Sequence, residues 1–288
     1  MHPIVIVGSG LAGYTLLKEI RKRDTATPVT LVTADDGAFY SKPNLSNALA
    51  AGKSAASLAS AGAEEMAAGQ GATVLTHTRV SAIDTQRQRI RSDAGELEYG
   101  RLVLALGADP LPHGLAGSGA ASVLTVNDLA DYAAFRSAIA GKQRVAVLGG
   151  GLIGCEFAND LTHAGFAVDV VHLGEWPLER LLPVEAGRRL ADNLAALGVS
   201  WHFGRTARSV ERTATGYQVA LDNGETIETD VVLSAIGLKP RTGLAQAAGI
   251  PVGRGIRTDR LLQTGAPNVY AMATAPKSRG STCPMCSP

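Results

Sequence analysis

The sequence has few cysteines, no excess of one charge and no long apolar run. Its 288 residues include only Cys155, Cys283 and Cys286, too few for a disulfide framework. The formal net charge of +1 lacks the basic excess that nucleic-acid binding usually leaves, so we expect no nucleic-acid partner. No stretch stays apolar long enough to span a bilayer, so no membrane span is expected. The first residues lead directly into an apolar strand pattern without room for a signal peptide. The lack of a disulfide framework favours a protein of the reducing cytoplasm.

Two G-x-G-x-x-G motifs are the most informative features that the sequence does have. Each follows a short apolar run and precedes a helical pattern. In that context glycine lets the backbone approach a pyrophosphate at a helix N-terminus. The glycines are Gly8, Gly10 and Gly13 in the first motif and Gly149, Gly151 and Gly154 in the second. Two motifs on one chain predict two dinucleotides, most simply a nicotinamide and a flavin that relay electrons.

The patterns around the motifs predict an α/β fold with two Rossmann-like (three-layer β/β/α) dinucleotide-binding domains. Around the first motif, a helix at about 12–22 separates strands at 2–7 and 29–33. The second motif repeats this scheme over 144–173, and a hairpin turned at Asn223 and Gly224 follows. Further short strands, which predict an inserted antiparallel ribbon, are expected at 72–80, 88–92, 96–99 and 101–106.

The strings around these motifs resemble the two-dinucleotide flavoprotein reductases, and among them the family of rubredoxin-NAD reductases. The shared strings extend to about residue 271 and include GSGLAGY, YSKPNLS, LGGGLIGCEFANDL and SAIGLKPRT. The resemblance implies an enzyme that passes hydride from NADH to FAD and single electrons to rubredoxin or a similar small iron-sulfur protein, typically for alkane hydroxylation. It requires no catalytic acid or base, and the histidines show no metal spacing. The alternatives are ferredoxin or nitrite reductase as the acceptor, or an inactive fragment that only binds nucleotide.

The resemblance also implies how the chain is divided. Residues 1–110 and 239–272 would form the FAD-binding domain, with an NAD(H)-binding domain at 111–238 inserted between them. A C-terminal interface domain is expected to be absent. After NVYA the family pattern requires a glycine and an aspartate, which this chain lacks. Restoring one base after the codon of Met272 gives M-G-D-C-A-E-V with GC-rich codons, so we expect residues 273–288 to be translated out of frame, through a deletion or a sequencing error.

The cofactor contacts that the resemblance implies fall on both halves of the chain. FAD is expected on the first loop, with Ala34 and Asp35 near the adenosine ribose, and on Lys42 and Val80. Gly107 ends a buried strand where the carboxyl edge of a sheet would face the cofactor. The residues of the first loop are Gly8, Ser9, Gly10, Leu11, Ala12 and Gly13. NADH is expected on the second motif, with Glu156 where nicotinamide meets flavin.

Several of these residues also have ordinary structural interpretations. Lys42 could be a solvated surface lysine, Asp35 a turn residue and Glu156 a first-turn helix residue. In the second half, His172 stands where the ribose-binding acid is usual, with Glu175 three residues further. The nearest arginine is Arg180, so the sequence favours NADH over NADPH.

Overall fold

The computed structural model describes residues 3–272 and 276–278. Of the segment expected to be out of frame, residues 273–275 and 279–288 lie outside the described residues. The helices in the described part are α1 (Leu11–Arg21), α2 (Ala55–Leu58), α3 (Ala63–Gln70), α4 (Leu129–Ile139), α5 (Leu152–His163), α6 (Val184–Ala196) and α7 (Gly243–Ala247), with 3-10 turns at Lys42–Ser46 and Ala120–Ser122. None of the helices in this part has both the length and the apolar run that a membrane crossing requires.

Strands and helices alternate around the two glycine loops, as is typical of α/β proteins, and a run of consecutive strands follows each of these regions. They are β1 (Ile4–Val7), β2 (Val29–Val32), β3 (Thr73–Leu75), β4 (Val80–Asp84), β5 (Arg89–Ser92), β6 (Gly95–Glu98), β7 (Arg101–Leu104), β8 (Ala108–Pro110), β9 (Arg144–Leu148), β10 (Ala167–His172), β11 (Val199–Phe203), β12 (Ala207–Arg212), β13 (Tyr217–Leu221), β14 (Thr226–Thr229), β15 (Val231–Ser234), β16 (Leu238–Pro240), β17 (Ile256–Thr258), β18 (Val269–Ala271) and β19 (Pro276–Ser278).

The chain divides into two compact units. Unit 1 contains the residues up to Ser41, Ala59–Asp109 and the residues from Lys239 on, and unit 2 contains Lys42–Leu58 and Pro110–Leu238. This division separates 42–58 from the rest of the segment 1–110 that the sequence groups together. Several hydrogen bonds join this segment to α4 and α5; among them, the Asp160 carboxylate accepts the backbone N–H groups of Leu49 (2.7 Å) and Ala50 (3.0 Å), and the hydroxyl of Tyr132 donates to the carbonyl of Lys53.

Unit 1 is built on a parallel sheet in the order β18-β7-β1-β2-β3. One face of this sheet packs against α1 and α3 through Tyr14, Leu17 and Met66. The other face packs against the antiparallel sheet β4-β5-β6 through Ile83 and Ile90. Successive side chains of β1 point to opposite faces of the sheet, and both faces are covered, so all four residues of β1 are buried and apolar.

Unit 2 repeats the same three layers around the parallel sheet β11-β10-β9-β15. Helices α4, α5 and α6 cover one face, with Phe135, Phe157 and Leu194 in the core. The antiparallel sheet β12-β13-β14 covers the other face through Val210 and Val219. The predicted α/β fold with Rossmann-type sheets is confirmed.

One predicted strand is wrong in its extent. Residues 72–80 were expected to form one strand, but β3 ends at Leu75 and β4 begins at Val80 in a different sheet. Between them the backbone of His77 takes a positive φ of 48°. Its N–H donates to the Asp35 carbonyl at 2.8 Å, so the interruption depends on a distant segment that the local pattern does not reveal.

Candidate functional site

The first glycine loop, in unit 1, connects β1 to α1 so tightly that Gly8 and Gly13 leave no room for a side chain. Gly8 has a φ of 114°, and a Cβ there would lie 2.9 Å from the carbonyl carbon of Ala105. A Cβ on Gly13 would lie 3.1 Å from the carbonyl carbon of Gly8. No side chain of the described residues caps α1 at Gly10. The first-turn amides of α1 therefore remain for an anion such as a pyrophosphate, which the helix dipole also favours. Leu11 and Ala12 begin that turn.

Asp35 follows β2 and ties this loop to the end of the strand. Its Oδ1 accepts hydrogen bonds from the hydroxyls of Ser9 (2.9 Å) and Thr33 (2.5 Å) and from the N–H of Gly37 (3.0 Å). Asp35 and its neighbour Ala34 are both exposed. A carboxylate that is anchored through one oxygen and faces solvent fits a site for ribose hydroxyls, which are hydrogen-bond donors.

The other residues expected to contact FAD in unit 1 lie at the ends of strands. Gly107 follows β7 with a φ of 71°, and its carbonyl accepts the N–H of Arg241 at 3.0 Å. The Arg241 side chain pairs with Asp109 at 2.6 Å, which fixes the segment after the sheet edge. Val80 is the first residue of β4 and is half-buried. The sequence motif did not indicate the role of Arg241.

Lys42 and Glu156 both belong to unit 2. Lys42 begins a 3-10 turn, is half-buried and lies near enough to Asp131 to favour the ionised form of that carboxyl, whose pKa burial raises. Glu156 is half-buried on α5 and accepts a hydrogen bond from the hydroxyl of Ser46 at 2.5 Å. Asp160, one helical turn further along α5, is buried, and its carboxylate accepts the N–H of Leu49, which follows the 3-10 turn. The spacing of these two acids places them on one face of α5, a signal that sequence reasoning missed.

The second glycine loop, in unit 2, repeats the geometry of the first. Gly149 has a φ of 108°, and a Cβ on Gly154 would lie 2.9 Å from the carbonyl carbon of Gly149. The residue before α5 is Gly151, and no side chain in the described part of the chain caps it. This loop therefore also presents helix N-terminal amides to an anion.

His172 fixes the middle residue of the second loop. Its Nδ1 accepts the N–H of Gly150 at 3.1 Å, and its Nε2 lies 3.1 Å from the carbonyl oxygen of Trp176. A carbonyl oxygen only accepts, so Nε2 carries the proton and the ring is neutral. Burial lowers the pKa of His172 below its ordinary value, while the nearby Glu179 carboxylate acts in the opposite direction. His172 is thus a structural part of the loop, a role that sequence position alone did not indicate.

Comparison with solved structures finds the same architecture. A ferredoxin reductase for the CYP199A2 system from Rhodopseudomonas palustris superposes with a TM-score of 0.89 at 27% identity, covering 96% of this chain and 69% of that one. Putidaredoxin reductase, in its covalent complex with putidaredoxin, gives a TM-score of 0.86 at 30% identity, covering 96% of this chain and 68% of that one.

Curated relatives are more similar in sequence. The rubredoxin-NAD(+) reductases of Alcanivorax borkumensis and Acinetobacter baylyi are 46% and 41% identical; each alignment covers all of this chain and 76% and 75% of the relative. A nitric oxide reductase FlRd-NAD(+) reductase from Aeromonas salmonicida is 40% identical over 99% of this chain and 73% of its own length. The family model described as pyridine nucleotide-disulphide oxidoreductase matches residues 2–279. The chain therefore belongs to the pyridine nucleotide-disulphide oxidoreductase family.

Proposed function

We propose that this protein is an NADH-dependent flavoprotein reductase that delivers electrons to rubredoxin, with FAD in unit 1 and NADH in unit 2. The observation that carries the proposal is a pair of glycine loops, each followed by a helix N-terminus without a side-chain cap, in a chain 46% identical to a rubredoxin-NAD(+) reductase. When bound, FAD accepts a hydride from NADH and releases electrons singly, which links a two-electron donor to a one-electron acceptor.

The residues of unit 1 would bind and orient the flavin dinucleotide. The amides after Gly10 would hold the pyrophosphate, and the Asp35 carboxylate would accept the adenosine ribose hydroxyls. Val80 and Gly107 stay proposed as further FAD contacts in unit 1, and Lys42, which belongs to unit 2, also stays proposed as an FAD contact. The support is geometric, because the first loop is tight, uncapped and tied to an exposed carboxylate.

The residues of unit 2 would bind the nicotinamide dinucleotide. The second loop, through Gly149, Gly151 and Gly154, would hold its pyrophosphate. Glu156 stays proposed as the acid near the nicotinamide, and its hydrogen bond to Ser46 would fix the position of the carboxylate. A fixed polar group orients a bound ring without a further loss of side-chain entropy.

The acceptor can be identified by steady-state kinetics with purified proteins. NADH oxidation would be measured under anaerobic conditions with rubredoxin, with a [2Fe–2S] ferredoxin and with a flavorubredoxin. Rubredoxin is expected to give the highest kcat/KM. A higher value with flavorubredoxin would favour the second candidate acceptor, which the similarity to the FlRd-NAD(+) reductase suggests. Colourless protein that takes up no FAD would instead favour a fragment that only binds nucleotide.

The role of Asp35 can be tested against its neighbour Asp36. In the Asp35→Asn variant the amide oxygen can still accept from the three anchoring donors. The outer oxygen, which would accept the ribose hydroxyls, becomes an NH2 donor, so we expect FAD affinity to fall about tenfold or more. Asp36 is exposed and accepts only the N–H of Ala38 in the described structure, so Asp36→Asn should retain FAD. Flavin absorbance after gel filtration measures the outcome. Equal flavin retention by both variants would contradict the assignment.

Two finer parts of the proposal concern the setting of the reaction. We propose that the rubredoxin serves alkane hydroxylation and that the protein works in the cytoplasm. The sequence resemblance to rubredoxin-NAD reductases supports the first part, and the small number of cysteines supports the second.

A further inference from the structure

One backbone hydrogen bond in each unit shows which residues of the two glycine loops are equivalent. In unit 1 the N–H of Gly8 donates to the carbonyl of Val32 at 2.9 Å. In unit 2 the N–H of Gly149 donates to the carbonyl of Val171 at 2.8 Å. Both glycines open their motif, and both valines lie at the carboxyl end of the strand that follows the motif helix. Val32 and Val171 are therefore equivalent positions.

The residues after these valines support the same register. In unit 1 the hydroxyl of Thr33 lies 2.9 Å from that of Ser9, the residue between the first two glycines. In unit 2 the ring of His172 accepts the N–H of Gly150, which is also the residue between the first two glycines. In both units the side chain one residue past the valine thus holds the middle of the loop.

Two residues after Thr33 and His172 the units differ in sequence, yet a carboxylate lies near this position in both. Asp35 stands at this place in unit 1, whereas unit 2 has Gly174, which lacks a side chain. The carboxylate of Glu179 fills the space. A Cβ on Gly174 would lie 2.8 Å from one Glu179 oxygen and closer still to the other. Glu179 is exposed, so its carboxylate is accessible to a ligand.

We propose that Glu179 supplies the carboxylate that accepts the adenosine ribose hydroxyls of NADH in unit 2. This inference rests on the proposed function, in which the second loop binds the nicotinamide dinucleotide. A carboxylate accepts hydrogen bonds from two neighbouring hydroxyls and repels the additional phosphate that NADPH carries on this ribose. Arg180 is adjacent to Glu179 and exposed, but the carboxylate of Glu179 offsets its single positive charge. Glu179 therefore determines a preference for NADH.

The test compares Glu179→Gln with the matched control Glu175→Gln, which changes another exposed carboxylate of the same loop. The dissociation constants of NADH and NADPH are measured by anaerobic titration calorimetry on the FAD-loaded full chain, whose flavin is first reduced with dithionite so that neither nucleotide transfers hydride to it. Thermal unfolding checks that each variant is folded. Glu179→Gln should weaken NADH about tenfold, because a hydrogen bond to a charged group is lost. NADPH binding should stay equal or tighten, and Glu175→Gln should bind both nucleotides as the wild type does.

The possible results separate the inference from the proposed function. If Glu179→Gln keeps the wild-type ratio of the two dissociation constants, the inference is overturned while nucleotide binding by unit 2 stands. A shift of the ratio in Glu175→Gln instead also overturns it. If the wild-type protein binds neither nucleotide, the proposed function fails together with the inference.

Discussion

Replacing Gly154 with alanine is a sharp test of the second glycine loop, because the structure leaves no room for a methyl group there. A Cβ at Gly154 would lie 2.9 Å from the carbonyl carbon of Gly149 and closer still to its oxygen. Because carbon atoms pack at roughly 3.5 Å or more, the overlap with that carbon alone is about 0.6 Å. Both atoms of the carbonyl belong to the backbone, so the end of β9 and the start of α5 must separate. Overpacking of this kind costs about 1–3 kcal/mol, and we expect the upper end.

Gly151→Ala is the matched control, since a Cβ at Gly151 would have no described atom within 4 Å. The φ of Gly151 is −78°, which alanine adopts readily. We expect Gly151→Ala to unfold at nearly the wild-type temperature and Gly154→Ala about 5–10 °C lower. Both should bind NADH more weakly, Gly154→Ala because the loop is displaced and Gly151→Ala because its methyl group blocks the approach of the pyrophosphate.

Differential scanning fluorimetry, and anaerobic NADH titration of the two variants with their flavin already reduced, check these expectations. The predicted pattern is a separation of effects, with stability lost only in Gly154→Ala and affinity lost in both. An unfolding temperature of Gly154→Ala equal to that of the wild type would refute the steric reasoning. Wild-type NADH affinity in both variants would refute the assignment of the loop.

Two further predictions concern residues that hold the site together. Asp160→Ala removes the acceptor of two backbone N–H groups, so unfolding free energy should fall by about 2 kcal/mol and hydrogen exchange at Leu49 and Ala50 should accelerate; unchanged exchange there would contradict the role of Asp160. For His172, burial lowers the pKa below its ordinary 6.5, so on acidification the unfolded chain takes up the proton first. Its contribution to stability is therefore complete above pH 6.5 and lost as the pH falls through the lower, folded pKa. His172→Asn keeps an acceptor for Gly150 but cannot titrate, so its unfolding temperature should fall less with acid; parallel pH profiles of variant and wild type would count against this.

The β-α-β pattern around each glycine loop could be predicted from the sequence because each of its signals lies within a short stretch of residues. A short apolar run, a glycine loop and an apolar helical spacing occur in order around Gly8 and again around Gly149, and the structure has β1-α1-β2 and β9-α5-β10 there. Helix α6 was missed although its buried residues Gly187, Ala191 and Leu194 have helical spacing.

The parts that could not be predicted depend on contacts between distant segments. The segment 42–58 is joined to unit 2 by contacts such as those of buried Asp160, whose partners are more than a hundred residues away in the sequence. His172 stands at the position of the usual ribose-binding acid, and the structure gives both of its ring nitrogens backbone partners. The carboxylate of Glu179 lies over Gly174 only because the intervening loop folds back. The spacing of residues in the sequence does not predict that a loop folds back in this way.

The most direct test of the central claim is an anaerobic single-turnover experiment on the FAD-loaded protein, monitored by its visible flavin absorbance. One equivalent of NADH should bleach the flavin, and oxidised rubredoxin added next should restore the absorbance. Because hydride carries two electrons and rubredoxin accepts one, two rubredoxin molecules should be reduced for each NADH. A flavin that NADH does not bleach, or that stays bleached after rubredoxin is added, would contradict the proposed function.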